Sequence, residues 1–459
     1  MDIIDLECGC DTTGLTANMK KWMEKMQNSV NNPNLSLEEL SWKDVSIYRV
    51  PAFVRDISHE IFTPELVSFG PYHHNNEELK KMEVHKERAL IHFVRKAGRK
   101  AGKTLDDIVA AVDKVMKELQ DSYYRLDKTW KSDRDGPSHF LKLMITDGCF
   151  MLEILEYAVN HGESYSPTDP EAYSPTDPFF SEHGVNHTMP YIRRDMQLIE
   201  NQLPLLLLKT LVSVGRTDIH EDIDDYIHNL VLKFLKGGDE QVKKMGLRAH
   251  ALDLLRHSLL TQNKTTKQSG KEGASGVIRS AVELREAGVR FRKSKTKSFR
   301  DIHFDPNKGI LYLPELVVHD ATECMLRNMV VFEHFRTNID NGITSYVCFM
   351  DEIIDSAADV SLLHSRGIIQ NSLGSDKQVA GLFNNRITKE VTVDPKCSLN
   401  EVREEVQKYC QRKWNKWRAN LLHTYFRNPW SLLSLAGALL VIVLTILQTV
   451  FSGMQIYQG

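Results

Sequence analysis

Between Gly70 and Lys86 the sequence reads GPYHHNNEELKKMEVHK, which sets His73, His74 and His85 among Glu77, Glu78 and Glu83. Imidazole and carboxylate are the donors of catalytic zinc and iron, so the stretch raises metal-assisted chemistry. The spacing argues against it. A ligand on a helix needs its partner at i±3 or i±4, and for His85 those neighbours are Lys81, Met82, Arg88 and Ala89. His92 shares the face of His85, but the intervening helix separates them by about 10 Å, beyond the reach of one ion bonded at about 2 Å. His73 and His74 follow Gly70 and Pro71, where adjacent side chains diverge. We read a turn whose histidines and Tyr72 pack and hydrogen-bond locally, with no metal and no cofactor.

GRKAGKT (98–104) approaches a phosphate-binding loop but places three residues between its glycines where the loop needs four. The preceding LIHFV continues a helical stripe, so this is a solvated basic helix end. No GxSxG elbow, HExxH pair or dinucleotide fingerprint occurs. Cys8, Cys10, Cys149, Cys324, Cys348, Cys397 and Cys410 are scattered without a CxxC pair, which fits free thiols in a reducing compartment. No catalytic residue emerges. The chain reads as a non-enzyme, with a site assembled only in space as the alternative. RFRKSKTKSFR (Arg290–Arg300) raises a second alternative, a peripheral binder of anionic lipid or nucleic acid. With a net charge of −3 and no aromatic stacking platform, nucleic acid is not expected, and the run reads as the exposed face of a small sheet.

The elements around these stretches are mostly helical. With 459 residues, 42% hydrophobic and 26% charged, the chain can bury more than one ordinary core. Apolar spacing of three and four predicts helices from Glu77 onward and over Leu105–Leu126, Phe140–Val159, Arg193–Val214, His250–Leu260, Met325–Phe335 and Ser345–Ile354, with another from Asn400. Alternation within 288–314 predicts a small antiparallel sheet. The fold class is therefore mainly α, a multi-helix globular domain with that one sheet. Residues 1–45 form an extension and 46–427 the domain. Insertions interrupt it at 163–180, which repeats YSPTDP, and at 261–276, which is polar and glycine-rich. Removing the YSPTDP loop is expected to leave the core unaffected.

From Trp430 to Phe451 the sequence is WSLLSLAGALLVIVLTILQTVF, without a charge and about as long as the roughly 20 residues that cross a bilayer. It predicts a single C-terminal transmembrane helix at 430–451 with a short tail, 452–459. The chain would then be tail-anchored, its large domain on the cytosolic side, since basic residues precede the span and none follow. Trp414, Lys416, Trp417, Arg418, Arg427 and Trp430 are the expected membrane-interface residues. Ser434, Gly437 and Ala438 offer small side chains for self-association.

Taken together, IYRVP, FTPELVSFGPYHH, MEVHK, DMQLIENQLPLLLL, AVELREAGVRF, LYLPELVVHDATECMLRNMVVFE and YVCFMDEIIDSAADVSLLHSRGIIQNSLGSDKQVAGLFN resemble the plant-specific domain of unknown function 247 family. The resemblance runs in order from about Ser46 to the end. It marks Gly70, Pro71, Tyr72, His73, His74, Glu200, Asn201, Gln202 and Pro204 as family-signature positions. It implies a largely helical domain, a carboxy-terminal anchor, plant origin and no assigned enzymatic chemistry. Some members are associated with self-incompatibility in grasses, and the expectation for this chain is recognition or signalling through protein partners.

Overall fold

A computed structural model describes residues 16–31, 45–55, 59–131, 136–159, 173–174, 176–216, 219, 221–237, 245–261, 278–336, 339–387, 399–413, 415, 417–418 and 429–458. The expected polar insertion at 261–276 lies almost wholly outside these residues.

The central element is the helix Gly136–Val159. From Leu143 to Glu156 every side chain is buried, as expected of a helix apolar on all faces. Helices Glu83–Ala101, Leu105–Asp121, Leu205–Gly215 and Ile223–Lys236 pack against it. The phosphate-loop look-alike falls between the first two. Gly102 stops one helix in the left-handed conformation, φ 63°, its N–H donating to the carbonyls of Ala97 and Gly98. Thr104 starts the next in a capping box with Asp107. The glycine and the threonine are helix punctuation.

The helix expected over Arg193–Val214 is two helices. Met189–Asp195 ends, and Leu205–Gly215 begins only after Pro204. The residues between them, 196–204, hold the Glu200–Gln202 signature. Here the apolar spacing is that of a buried irregular segment.

The sheet also differs from expectation. Strand β1 (Arg290–Lys293) runs parallel to β3 (Ile310–Leu313), and β2 (His303–Asp305) is antiparallel to β3 on its other edge. The turn at 306–309 makes the β2–β3 hairpin. The longer segment 294–302 lets the chain pass from one edge to the other, so the sheet is mixed. A second, two-stranded parallel sheet pairs β4 (Leu316–Val318) with β5 (Ile369–Asn371). Its strands are far apart in sequence and too short to show alternation.

The C-terminal expectation is corrected. Among the described residues no helix is long and apolar enough to cross a membrane. The last helix is Pro429–Gln458. The transmembrane helix, the tail anchor and the single-pass membrane localisation fall to that finding.

Within the expected loop at 163–180, residues 163–172 and Pro175 lie outside the described set, but the second YSPTDP copy is docked. Tyr173 stacks between the rings of His92, 4.2 Å away, and Phe180, 3.9 Å away. Asp177 is buried, accepts the N–H groups of Phe179 and Phe180 at 2.9 Å, and pairs with Arg88 at 2.8 Å. This copy is fastened to the core through Tyr173 and Asp177. Deleting Tyr173–Pro178 is therefore expected to lower the melting temperature clearly, and Tyr173→Ala alone to cost about 2 kcal/mol, both measurable by thermal and urea unfolding.

Candidate functional site

The signature residues meet at one place, around the extended segment 65–70. Val67, Ser68, Phe69 and Gly70 are buried there without a neighbouring strand among the described residues, so their backbone groups need other partners. Side chains supply them. Asp195, at the end of Met189–Asp195, accepts the N–H groups of Glu65 (3.0 Å), Leu66 (2.8 Å) and Val67 (2.9 Å). Asn201 accepts from Phe69 N at 2.7 Å and donates to the carbonyls of Val67 and Asp195. Asp147 on the central helix accepts Gly70 N at 2.8 Å.

Lys86 completes this arrangement. Its fully buried ammonium lies 2.8 Å from Asp147 Oδ1 and 2.8 Å from Glu83, and donates to Ser68 O at 2.6 Å. Burial alone would pull its pKa down, but the two carboxylates outweigh burial and hold the amine above its ordinary range.

The remaining signature residues extend the network to both sides. Gly70 has φ 73°, and a Cβ there would lie 2.7 Å from Tyr123 Oη and 3.0 Å from Gln202 O. That close approach, with Tyr123 donating to Gln202 O at 2.9 Å, requires glycine. Pro71 is buried, and Tyr72 donates to the carbonyls of Tyr124 and Ile47. Gln202 donates to Met196 O and Leu198 O and accepts Leu252 N. Pro204 bridges to His250. Glu200 accepts Val50 N and Arg55 Nη2, both at 2.5 Å, and its other oxygen is 3.0 Å from His73 Nε2, at ion-pair distance but off hydrogen-bond angle. Burial pushes the Glu200 carboxyl up, yet His73, Arg55 and the Val50 N–H together hold it below its ordinary value.

The three histidines of the opening stretch go separate ways. His73 faces Glu200, while His74 packs its edge against Trp130 at 5.7 Å and His85 against Phe179 at 4.6 Å. No group of three or more His, Cys, Asp or Glu placed to hold a metal occurs among the described residues. A second buried cluster lies further along the central helix. Glu153 meets His92 at 2.8 Å, Lys96 at 3.4 Å and Tyr173 Oη at 3.3 Å. Glu156 meets Lys96 at 2.7 Å, Arg216 at 2.6 Å and Tyr226 Oη at 2.9 Å. Each carboxylate oxygen already has a cation or hydroxyl beside it. Burial drives the thiol of Cys149 well up and that of Cys324 to about 12, far from a nucleophilic thiolate.

Part of the basic run is likewise engaged, while Arg292, Lys295 and Lys297 are exposed. Arg290 donates to Lys308 O, Lys293 pairs with Glu315 at 2.6 Å, Arg300 pairs with Asp340, and Phe299 stacks on Tyr346 at 3.9 Å. Of the expected interface residues, Trp417 and Arg418 are exposed. Trp414, Lys416 and Arg427 lie outside the described residues, as does the side chain of Trp430.

Sequence reasoning passed over Asp147, Lys86, Asp195 and His250. Lys86 stood beside the more conspicuous His85, and Asp195 inside a stretch read as continuous helix. Asp195→Ala removes the acceptor of three N–H groups, Val67's buried and those of Glu65 and Leu66 part-buried, and leaves the surrounding segment without its anchor; we expect a loss of about 2–3 kcal/mol in urea unfolding. His250 gives a pH dependence. It is fully buried, its Nε2 3.1 Å from Ser46 O and its Nδ1 accepting Asp253 N, which suits a neutral ring. Burial lowers its pKa from 6.5 to about 4. Between these values the unfolded state binds more protons. Stability should therefore fall as pH drops from about 6.5 to about 4, by roughly 3 kcal/mol in all. His250→Asn, which keeps a cap acceptor, should flatten that slope in unfolding curves measured across this range.

Known proteins were compared with the chain as a whole. UPF0481 protein At3g47200 of Arabidopsis thaliana is 29% identical over 442 residues, covering 91% of this chain and 88% of that relative. Putative UPF0481 protein At3g02645 of Arabidopsis thaliana is 24% identical, covering 93% and 94%. No solved structure matches. The pattern of the domain of unknown function 247 family, described as plant protein of unknown function, matches residues 47–444 and so contains the whole Gly70–Pro204 network; the chain belongs to that family.

Proposed function

We propose that the chain is a non-catalytic recognition protein that acts by binding other proteins. What supports this reading is where the reactive side chains are spent. The groups with the chemistry for catalysis, Asp147, Asp195, Glu200, Lys86, Glu153 and Glu156, hold buried backbone or one another. A catalytic group needs an atom that reaches a reacting substrate, and these atoms are bonded to the fold. Apolar side chains such as Phe53 and Tyr191, by contrast, stand on the surface, where partners are met.

The test is proximity labelling with the full chain in plant tissue, followed by reconstitution with each purified partner. A saturable complex is expected, with Asp195→Ala weakening it only in step with the folded fraction. Turnover of a small molecule by the purified chain, abolished by Glu153→Gln at unchanged melting temperature, would overturn the proposal.

A further inference from the structure

Where the signature network reaches the surface, at Tyr72, two arginines stand outside it. Ile47 forms a parallel bridge with Tyr123; Ser122 O accepts the N–H groups of Ser46 and Ile47, and Ile47 O accepts Tyr124 N at 2.9 Å. Arg49 and Arg125 each follow that bridge by two residues, so the paired segments deliver them side by side. Both are exposed. Arg49 lies 4.7 Å from the centroid of the Tyr72 ring, and Arg125 lies 5.1 Å from that of Tyr124. The rings are fixed from within. Tyr72 donates to Tyr124 O at 2.7 Å and Ile47 O at 3.2 Å, and Tyr124 packs 5.8 Å from Tyr48, whose hydroxyl donates to Val45 O. Neither arginine forms an ion pair with a described residue. The Asp127 carboxyl, which the Thr129 N–H and, less strongly, Arg49 hold below its ordinary range, is engaged by Thr129 N at 2.9 Å. The backbone adds an independent sign. Arg125 has φ 49° and is the one residue other than glycine with a positive φ among the described residues. A side chain is strained there and glycine is not, so the turn keeps an arginine at a cost to the fold.

Resting on the recognition reading above, we propose that Arg49 and Arg125 are a docking site for an acidic segment of a protein partner, whose carboxylates they clamp. A guanidinium presents its N–H groups as a planar fork that matches a carboxylate, and a ring beneath it restrains the side chain before binding, so less freedom is lost in the complex. Two such groups without an ion pair select a partner of negative charge. Arginine and tyrosine are also the residue types that carry most binding energy in protein interfaces. Nucleic acid fits less well, because the rings on which bases would stack already hold guanidiniums. A bilayer fits less well too. The hydroxyls of Tyr72 and Tyr48 are tied to backbone carbonyls inside the fold, so these rings cannot swing out to insert. Phe53 is exposed four residues beyond Arg49, but one ring is not the apolar face that insertion needs.

The experiment titrates the purified full chain with a short polyglutamate peptide as the probe. In parallel, phosphatidylserine vesicles and a single-stranded oligonucleotide test the other anionic surfaces. Expected is saturable binding of the peptide that weakens with salt. Arg49→Gln and Arg125→Gly should each weaken it at least about tenfold, while Arg292→Gln, on the basic run, changes nothing. Glycine takes φ 49° without strain, so Arg125→Gly should lose binding without lowering the melting temperature, which a structural role for Arg125 would not allow. No saturable binding, binding indifferent to Arg49→Gln and Arg125→Gly, or a loss that only follows a lowered melting temperature overturns the proposal. Binding abolished by Arg292→Gln overturns it in favour of the sheet. Vesicles or oligonucleotide bound more tightly than the peptide, and released by Arg49→Gln, overturn it in favour of those ligands. If the partners captured in tissue are unchanged by Arg49→Gln with Arg125→Gly, this docking fails while the recognition reading stands. Substrate turnover by the full chain removes the recognition reading itself.

Discussion

A buried chain segment without a neighbouring strand must find hydrogen-bond partners for every N–H and C=O, and the segment 67–70, with residues 65 and 66 leading into it, imposes that demand on its surroundings. An unmet buried N–H costs about 1–3 kcal/mol, so the several groups here would together cost more than the net stability of many domains. Asp195, Asp147 and Lys86 meet the demand from three different helices, and Asn201 from the segment 196–204. Each of those elements is thereby fixed in position. The central helix cannot rotate without losing Asp147 from Gly70, and Met189–Asp195 cannot extend without carrying Asp195 away from Leu66.

The same device recurs elsewhere in the chain. Glu333, buried, accepts the N–H groups of Ile343 and Thr344 at the start of the helix Gly342–Ile353 while pairing with Arg256 at 2.7 Å. Asp359 accepts Val282 N and caps its own helix through Ser356. Buried ion pairs are poor contributors to net stability, because desolvation offsets most of their attraction. Their effect here is to specify the paths of irregular segments, for which apolar packing alone offers no direction.

This explains what the sequence discloses and what it conceals. Helices show themselves because an apolar stripe repeats every three or four residues, as in Leu105–Asp121 and Ala251–Leu260. The break at 196–204 is invisible, because Leu198, Ile199 and Leu203 keep a helix-like spacing while Glu200, Asn201 and Gln202 bond to residues 50, 69 and 252. Those partners are set by tertiary structure. The parallel pairing of β1 with β3 is hidden for a similar reason, since alternation gives a strand its faces but not its neighbour. The family signature was legible as a set of residues and not as a set of roles. His73 and His74 drew attention by type, whereas the groups that hold the segment are Asp147, Lys86 and Asp195.

A domain whose buried polar side chains are committed to its own backbone is constrained in how it can acquire function. Changing any of these residues uncovers a buried charge or an orphaned amide, so new chemistry cannot be introduced there without losing the fold. Variation is cheap only where side chains meet water and where segments join the domain at its ends. The helix Ala17–Val30 is such a place. It carries large apolar residues at helical spacing, and none of the buried network depends on it. In this architecture the interior determines where surfaces are held, and the residues outside it are free to vary.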